Sequence, residues 1–407
     1  MTYEATISWL FEQFPAYHLL GVNAYKPSLD NIHALALAFD NPQDKLRFVH
    51  IAGTNGKGST SNMLASILTE SGETVGLFTS PHIHDFRERI RVNGTCIDEA
   101  FVIEFCEEIR SKTWNIEPSF FEITWLMALC YFSEKKCSIV VAETGLGGRL
   151  DATNIIQPLL TVITNISLDH TAILGENRSL IAAEKAGIIK QGIPIVIGES
   201  DEETGKVFAE FAQKHSSELV LVEPAHSYPD GIFGYQRLNF DTIYCCVQQL
   251  NKGSFQLSEK HINDGIKLLR KNTGFSGRLE IVDRTPLTIL DCAHNVAGIQ
   301  QTIASVNTLK QGQLHIIYGT SSDKDLSEIV TVLPQEAVYY LTEFTNPRSA
   351  KYPQLSEAFN NTAKKVNYFS SAQEAYQAVK LTANKNDTVL ILGSFFLISD
   401  FFDLFFD

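Results

Sequence analysis

Short apolar runs alternate with longer stretches of helical periodicity along most of the chain. Such runs indicate buried strands, whereas apolar positions three or four residues apart indicate amphipathic helices. The strands predicted in the first part of the chain are 48–52, 74–78, 138–142, 160–166 and 193–197. The helical stretches predicted there are 1–45, 59–70, 98–111 and 119–134. This alternation is typical of an α/β fold with a parallel sheet and helices on both faces.

A second series of alternating strands and helices begins near residue 286. Its predicted strands are 287–290, 314–318, 338–341 and 389–392, and residues 372–383 are predicted to form one of its helices. The stretch 278–286 is predicted to be a linker. We therefore expect an N-terminal α/β domain at 1–282 and a smaller C-terminal α/β domain at 283–407.

The net charge of the chain limits the classes of ligand that the protein is expected to bind. The chain has 407 residues with 33 Lys and Arg against 47 Asp and Glu, a net charge of −14. A basic surface for nucleic acid is therefore not expected. Any site for an anionic ligand must be local, built from backbone N–H groups and a few placed cations.

The cysteine pattern and the N-terminal sequence indicate the cellular compartment of the protein. The seven cysteines include no C-x-x-C pair, so neither a metal site nor a disulfide framework is expected. The first 20 residues lack a basic region before an apolar run, and no apolar run has the length of a membrane span. We expect a cytoplasmic protein without membrane contact.

The strongest local motif is a glycine-rich turn that follows the predicted strand 48–52 and precedes a predicted helix. Its sequence is Gly53-Thr54-Asn55-Gly56-Lys57-Gly58-Ser59-Thr60. In this context the glycines let backbone N–H groups turn toward phosphate oxygens, a lysine adds a charge and a hydroxyl can bind Mg²⁺. The spacing departs from G-x-x-x-x-G-K-[ST], and the alternative is a flexible turn without a ligand. The strand–turn–helix context favours phosphate binding.

Further segments match one enzyme family in the family's own order. They are Thr79-Ser80-Pro81-His82, Phe120-Phe121-Glu122, Glu143-Thr144-Gly145-Leu146-Gly147-Gly148-Arg149-Leu150-Asp151-Ala152-Thr153-Asn154, Asp169-His170, Glu184-Lys185-Ala186-Gly187-Ile188-Ile189-Lys190 and Asp291-Cys292-Ala293-His294-Asn295. Together with the phosphate loop, they resemble the folylpolyglutamate and dihydrofolate synthases, relatives of the Mur ligases. The resemblance implies an N-terminal Mur-ligase-like P-loop ATPase domain with a parallel-type central sheet and a Rossmann-like C-terminal domain.

The resemblance also implies an activity. Such enzymes use ATP and Mg²⁺ to add L-glutamate to a folate carboxylate, or to dihydropteroate, through an acyl phosphate. Partners would be these small molecules, and the family is usually monomeric. The motifs leave open whether the first glutamate, later ones or both are added. The alternatives are another Mur-type ligase, which Gly58 and the Phe-Phe-Glu segment disfavour, and a P-loop ATPase or switch that does not ligate.

Residues for ATP and the metal follow from the same resemblance. The residues expected at ATP are Gly53, Thr54, Asn55, Gly56, Lys57, Gly58, Ser59, Asn239, Arg278, Asp291 and His294. The expected metal ligands are Ser80, Glu143 and His170, of which Glu143 also follows from its position after a strand and before several glycines. For Ser80 the alternative is a turn residue, and for His170 it is a residue that orients a nearby carboxylate.

Lys57, His170 and Lys185 are the residues expected to act in catalysis. By resemblance Lys185 is carbamylated to N6-carboxylysine, which requires an unprotonated amine with a lowered pKa. A helical lysine is otherwise most often a solvated surface residue. The folate or dihydropteroate is expected at Ser119, Phe120, Phe121, Glu122, Leu150, Asp151 and Ala152. The alternative for the first of these segments is a helix start with core aromatics.

Overall fold

The computed structural model describes residues 1–14, 27–225, 227–360, 362 and 364–406. The chain divides into two compact units. Unit 1 contains Met1–Ile232 and Arg237–Phe275, and unit 2 contains Phe233–Gln236 and Ser276–Asp407. None of the described helices is long and apolar enough to cross a membrane.

Unit 1 is built on an eight-stranded sheet. In chain order its strands are β1 (Phe48–Ala52), β2 (Val75–Phe78), β3 (Ile90–Val92), β4 (Thr95–Cys96), β5 (Ile139–Glu143), β6 (Leu160–Ile163), β7 (Ile195–Ile197) and β8 (Leu219–Leu221). Their order across the sheet is β4-β3-β2-β5-β1-β6-β7-β8, and only β3 and β4 run antiparallel to their neighbours. Strand β1 therefore lies inside the sheet, between β5 and β6.

Helices cover both faces of this sheet. They are α1 (Tyr3–Gln13), α2 (Asp30–Ala38), α3 (Lys57–Glu70), α4 (Glu99–Ser111), α5 (Phe120–Glu134), α6 (Thr171–Leu174), α7 (Arg178–Ala186), α8 (Glu202–Lys214), α9 (Gln236–Asn251), α10 (Glu259–Lys267) and α11 (Leu269–Thr273). Successive residues of a strand point to opposite faces. Phe48 accordingly joins the core around Trp125, whereas Val49 joins the core around Leu64. Burial on both faces explains why these strands are continuous apolar runs.

Unit 2 contains a six-stranded sheet with the order β13-β12-β11-β14-β10-β9. Its strands are β9 (Glu280–Arg284), β10 (Leu287–Asp291), β11 (Leu314–Tyr318), β12 (Val338–Thr342), β13 (Lys365–Phe369) and β14 (Thr388–Leu392). Its helices are α12 (Val296–Asn307), α13 (Leu326–Val332), α14 (Tyr352–Asn360), α15 (Ala372–Thr382), α16 (Phe395–Ser399) and α17 (Phe402–Phe406). All neighbouring strands are parallel except the edge strand β9. The α/β class expected for both parts of the chain is confirmed.

Three predicted elements differ from the structure. The stretch 278–286 is not simply a linker, because β9 within it pairs with β10. The strand predicted at 160–166 ends at Ile163, after which the chain turns to contact the glycine-rich loop. The N-terminal helical stretch contains α1 and α2, and its residues 15–26 lie outside the described part of the chain.

Candidate functional site

The glycine-rich loop joins the buried strand β1 to the N-terminus of α3. Gly53 has a φ of 152° and Gly56 a φ of 82°, a region that side chains rarely adopt. A Cβ atom on Gly53 would collide with Thr164, and one on Gly56 would collide with the side-chain oxygen of Asn239. The loop therefore needs glycine at both positions, and Asn239 lies directly against it.

The segment after β6 holds the loop in place. The Asn55 N–H donates to Asn165 Oδ1 at 3.0 Å, and the Thr54 N–H donates to the Asn165 carbonyl at 3.0 Å. Thr164 Oγ1 donates to the Asn55 carbonyl at 2.6 Å. Thr164 and Asn165 are residues of the site that the sequence reasoning missed. Their only signal is a pair of polar residues at the end of an apolar strand, a common position for ligand-binding groups.

Two lysines converge on the loop. Lys57 Nζ donates to the carbonyls of Gly53 and Thr54 at 3.1 and 3.2 Å, and Lys185 Nζ donates to the Gly53 carbonyl at 2.8 Å. Lys185 is buried, not solvated. Its burial, and then the nearby charge of Lys57, lower the pKa of the Lys185 amine to about 7. This amine is therefore partly unprotonated at neutral pH, as carbamylation requires.

Glu143, the last residue of β5, faces the loop from the neighbouring strand. It is 3% exposed, and its Oε2 accepts from the Ser80 N–H at 3.2 Å. A Cβ built on Gly58 would lie 3.6 and 3.9 Å from its two carboxylate oxygens. The structure thus brings Glu143, Ser80 and the phosphate loop together.

The oxygen atoms that Glu143, Ser80 and the phosphate loop offer here are of the kind that Mg²⁺ binds. In the described part of the chain, no three His, Cys, Asp or Glu side chains are grouped as a metal site. Mg²⁺ commonly takes one or two carboxylates and completes its shell with water and phosphate oxygens. The hydroxyl of Thr60, in the first turn of α3, is buried without a hydrogen-bond partner among the described residues. The Glu143 carboxylate and the nearby hydroxyls are therefore chemically suited to a cation that also takes phosphate oxygens, and their role as metal ligands stays a prediction.

His170 lies on the segment between β6 and α6. It has a left-handed backbone with a φ of 51°, and its ring is 3.8 Å from the Asp169 carboxylate. Asp169 also favours the charged form of Lys185. The His170 ring therefore lies near the neighbouring carboxylate, and its role at a metal stays a prediction.

Asp151 is buried beneath the second glycine-rich loop. Its carboxylate accepts from the N–H groups of Leu146 and Thr153 at 2.8 and 3.0 Å and from the Thr153 hydroxyl at 2.5 Å. The Thr153 hydroxyl in turn lies 2.8 Å from Nε2 of the buried His50. Ala152 is buried and Leu150 half-buried. Asp151 therefore shapes the loop, and its contact with a substrate stays a prediction.

The segment Ser119–Glu122 starts α5. Ser119 and Glu122 form a reciprocal capping box, with the Ser119 N–H 2.7 Å from Glu122 Oε2. Phe120 is 2% exposed and stacks on Phe11 at 4.7 Å, so it belongs to the core. The half-buried Phe121 instead lies against the backbone of Gly145, where a Cβ would be 2.6 Å from its ring. Phe121 is thus the aromatic residue of the pair that adjoins the Glu143 loop.

In unit 2, Asp291 ends β10 and is 1% exposed. Its oxygens accept from the Tyr235 hydroxyl at 2.6 Å and from the N–H groups of Leu279 and Ala293 at 2.8 and 2.7 Å. Burial raises the pKa of this carboxyl. Asp291 thereby fixes the chain on both sides of β10.

Replacing Asp291 by asparagine should destabilise unit 2. In the asparagine variant an NH₂ group takes the place of one of the two accepting oxygens. This NH₂ group then faces another hydrogen-bond donor in the buried site, and neither donor has an acceptor. We expect the free energy of unfolding to fall by about 2 kcal/mol. Denaturant titration followed by circular dichroism measures this change. The exposed carboxylate of Glu336 offers a control, since its Glu336→Gln variant should be unchanged. An unaltered midpoint for Asp291→Asn would contradict the structural role.

Arg278 and His294 meet at one aromatic ring of unit 2. The guanidinium of Arg278 lies 4.4 Å from the ring centre of Phe395, and the His294 ring lies 5.6 Å from it. Phe395 follows β14, the strand next to β10. Adjacent Cys292 is buried, and burial raises the pKa of its thiol to about 12, which makes it a packing residue. Arg278, Asp291 and His294 thus share the carboxyl-terminal end of one sheet.

Comparison with family models identifies both parts of the chain. Residues 51–228 match the Mur ligase middle domain, and residues 277–395 match the Mur ligase, glutamate ligase domain.

Individual relatives and solved structures that are similar to this chain agree with the family models. Dihydrofolate synthase/folylpolyglutamate synthase of Buchnera aphidicola subsp. Schizaphis graminum is 34% identical over 88% of each chain. Its Bacillus subtilis counterpart is 33% identical over 92% of this chain and 94% of its own. Escherichia coli FolC in complex with DHPP and ADP superposes with a TM-score of 0.86 at 28% identity, covering 99% of this chain and 97% of FolC. The Yersinia pestis bifunctional synthase with AMPPNP and a Mn ion gives 0.85 at 28% identity, covering 99% and 98%.

Proposed function

The chain belongs to the dihydrofolate synthase/folylpolyglutamate synthase family, and on that premise we propose that it joins L-glutamate to a folate carboxylate while ATP becomes ADP. The observation that carries the proposal is the buried Glu143 carboxylate facing Gly58 of the phosphate loop. Dihydropteroate is proposed as a second acceptor, since similar proteins carry both activities in their names.

The reaction needs activation because a carboxylate does not react with an amine at neutral pH. The acceptor carboxylate attacks the γ-phosphorus of ATP, and ADP departs as the acyl phosphate forms. The glutamate amine then attacks the acyl carbon, loses a proton and expels phosphate, which leaves an amide. Lys57 and the N–H groups at the start of α3 would offset charge on the transferring oxygens. Mg²⁺, when bound by Glu143 with Ser80 and His170, supplies a further positive charge there.

Other residues are proposed for binding. Asn239 lies against Gly56 of the loop, which supports a role for it in contacting ATP, and the same role is proposed for Arg278, Asp291 and His294. For the folate, the half-buried Phe121, which adjoins the Gly145 loop, is favoured over the buried Phe120 as the stacking residue. Ser119, Glu122, Leu150, Asp151 and Ala152 are proposed to shape that site.

Carbamylation of Lys185 is proposed on its position and its lowered pKa. The reaction joins the neutral amine to CO₂ and releases one proton. Because the pKa of Lys185 is about 7 and not its usual value of 10.5, the neutral fraction should rise steeply from pH 6 to pH 8. We expect ¹³C NMR with labelled bicarbonate to show a carbamate signal that grows across this range.

The Lys185→Met variant is the control for that signal. It removes the amine but keeps an unbranched side chain of similar length in the buried site. A carbamate signal that persists in this variant, or none in the parent protein at pH 8, would contradict the proposal.

The acceptor is tested by ligation assays with labelled glutamate, ATP and Mg²⁺. We expect incorporation with tetrahydrofolate and with dihydropteroate in separate reactions. Incorporation with tetrahydrofolate alone would restrict the enzyme to chain extension, and incorporation with neither would refute the proposed function. A Mur-type ligase would instead use a cell-wall precursor.

We also propose that the enzyme works in the cytoplasm as a monomer. All seven cysteines are free, as expected in a reducing compartment. Light scattering combined with size-exclusion chromatography tests the monomer against its mass of 45.4 kDa.

A further inference from the structure

Arg89 is a buried arginine in unit 1 that none of the proposed roles uses. It ends the 3₁₀ turn Phe86–Arg89 and is 3% exposed. Its Nε donates to His82 Nδ1 at 2.8 Å, and its guanidinium lies 5.3 Å from the centre of the Phe120 ring. These contacts engage the Nε edge and the face of the guanidinium. The terminal nitrogens, Nη1 and Nη2, form the fork that suits a carboxylate.

Among the residues that the structure describes, none supplies a counter-charge in direct contact with this fork. Glu88 and Glu143 favour the charged form of Arg89 from a distance, and neither forms a hydrogen bond with it. The Glu88 oxygens instead accept from the N–H groups of Ile83, His84 and Asp85. Burial lowers the pKa of Arg89 to about 10, so the group is still charged at neutral pH. A buried charge without a paired partner is costly, which points to a partner outside the chain.

The surroundings of Arg89 indicate what that partner is. Its segment also carries Ser80, whose N–H contacts Glu143, and His82, which holds the guanidinium by Nε. Phe120, under the guanidinium, starts the helix proposed to adjoin the folate. Arg89 therefore lies between the carboxylate proposed for the metal and the segment proposed for the acceptor.

We infer that the Arg89 fork binds a carboxylate of a substrate, with His82 as the residue that fixes its orientation. The inference rests on the proposed function, because a ligase of this kind brings two carboxylate-bearing substrates to one site. The carboxylate belongs either to the acceptor, where it is the group that becomes phosphorylated, or to the incoming glutamate. In either case a bidentate pair would give the fork two charge-assisted hydrogen bonds.

Steady-state kinetics of two Arg89 variants separate these sources. Arg89→Met keeps the buried volume without charge, and Arg89→Lys keeps the charge without the fork. We expect Arg89→Met to raise KM for one carboxylate substrate by about 30-fold, as for loss of a charged hydrogen bond, while KM for ATP stays within about two-fold. Arg89→Lys should recover part of the loss. Arg87→Met is the matched control, since Arg87 already pairs with Asp85 and Glu99.

Each outcome decides the question. A raised KM for the acceptor assigns the acceptor carboxylate, and a raised KM for glutamate assigns glutamate. Unchanged KM values for both substrates in folded Arg89→Met would overturn the inference. A lower kcat together with a lower Tm, with both KM values constant, would also overturn it and would show that Arg89 serves only in packing. Where Arg89→Met does not fold, the same KM values in Arg89→Lys decide. Absence of ligation by the parent protein refutes the proposed function instead, so the two failures are distinguishable.

Discussion

Replacing Glu143 by glutamine should reduce the ligation rate by about three orders of magnitude. Glutamine fills the same volume at the end of β5 and retains one oxygen for the Ser80 N–H, so folding should be unaffected. It removes the negative charge that faces Gly58 of the phosphate loop. Single-turnover formation of ADP at several Mg²⁺ concentrations measures the effect, and the variant should also need more Mg²⁺.

The exposed Glu134 provides the control for this substitution. Its side chain is 58% exposed and lies 3.7 Å from the Lys135 ammonium, so Glu134→Gln removes the same charge from the surface. We expect its rate to match the parent protein. A Glu143→Gln variant that keeps more than about a tenth of the activity would remove Glu143 from the metal site.

The second large effect is expected from Gly56→Ala. At a φ of 82° an added Cβ is strained, and it would also collide with the Asn239 side chain, forcing the loop or α9 to move. We expect affinity for ATP to fall by about 100-fold, because the loop N–H groups lose their common direction. Titration calorimetry with a non-hydrolysable ATP analogue measures the change.

Substitution of Gly72 separates the effect of backbone strain from the effect of a steric collision. It has a φ of 91°, yet a Cβ there would meet nothing within 4 Å. Gly72→Ala thus carries the same backbone strain outside the phosphate loop and should bind ATP normally, with a small loss of stability of about 1 kcal/mol. Equal ATP affinities for the two variants would show that Gly56 has no special role in the loop.

The interior strands could be predicted from the sequence because their burial on both faces leaves a continuous apolar run. The bounds predicted for β1 and β11 agree with the structure. Edge strands carry less of this signal. β13 begins at Lys365 and alternates exposed and half-buried residues, and β9 includes Asp283 and Arg284, so neither was recognised. Their pairing is determined by neighbouring strands, which local sequence does not reveal.

The candidate site was predictable where chemistry and position coincide. Glu143 combines a carboxylate, a strand end and following glycines, and the structure places it at the loop. Asn165 could not be predicted in the same way, because its contact with Asn55 joins residues 110 positions apart. The burial of Arg89 was equally hidden, since it belongs to the polar-looking segment Phe86–Arg89. Such roles arise from tertiary packing, which no local pattern records.

ATP turnover by this enzyme is expected to be coupled to ligation of glutamate to a folate. The most direct measurement follows ADP and labelled glutamate in the same reaction, with tetrahydrofolate, L-glutamate or both. We expect one ADP for each glutamate incorporated, and negligible sustained turnover when either substrate is omitted. Sustained ADP release without folate or glutamate, or release without incorporation, would contradict the account and identify a simple ATPase.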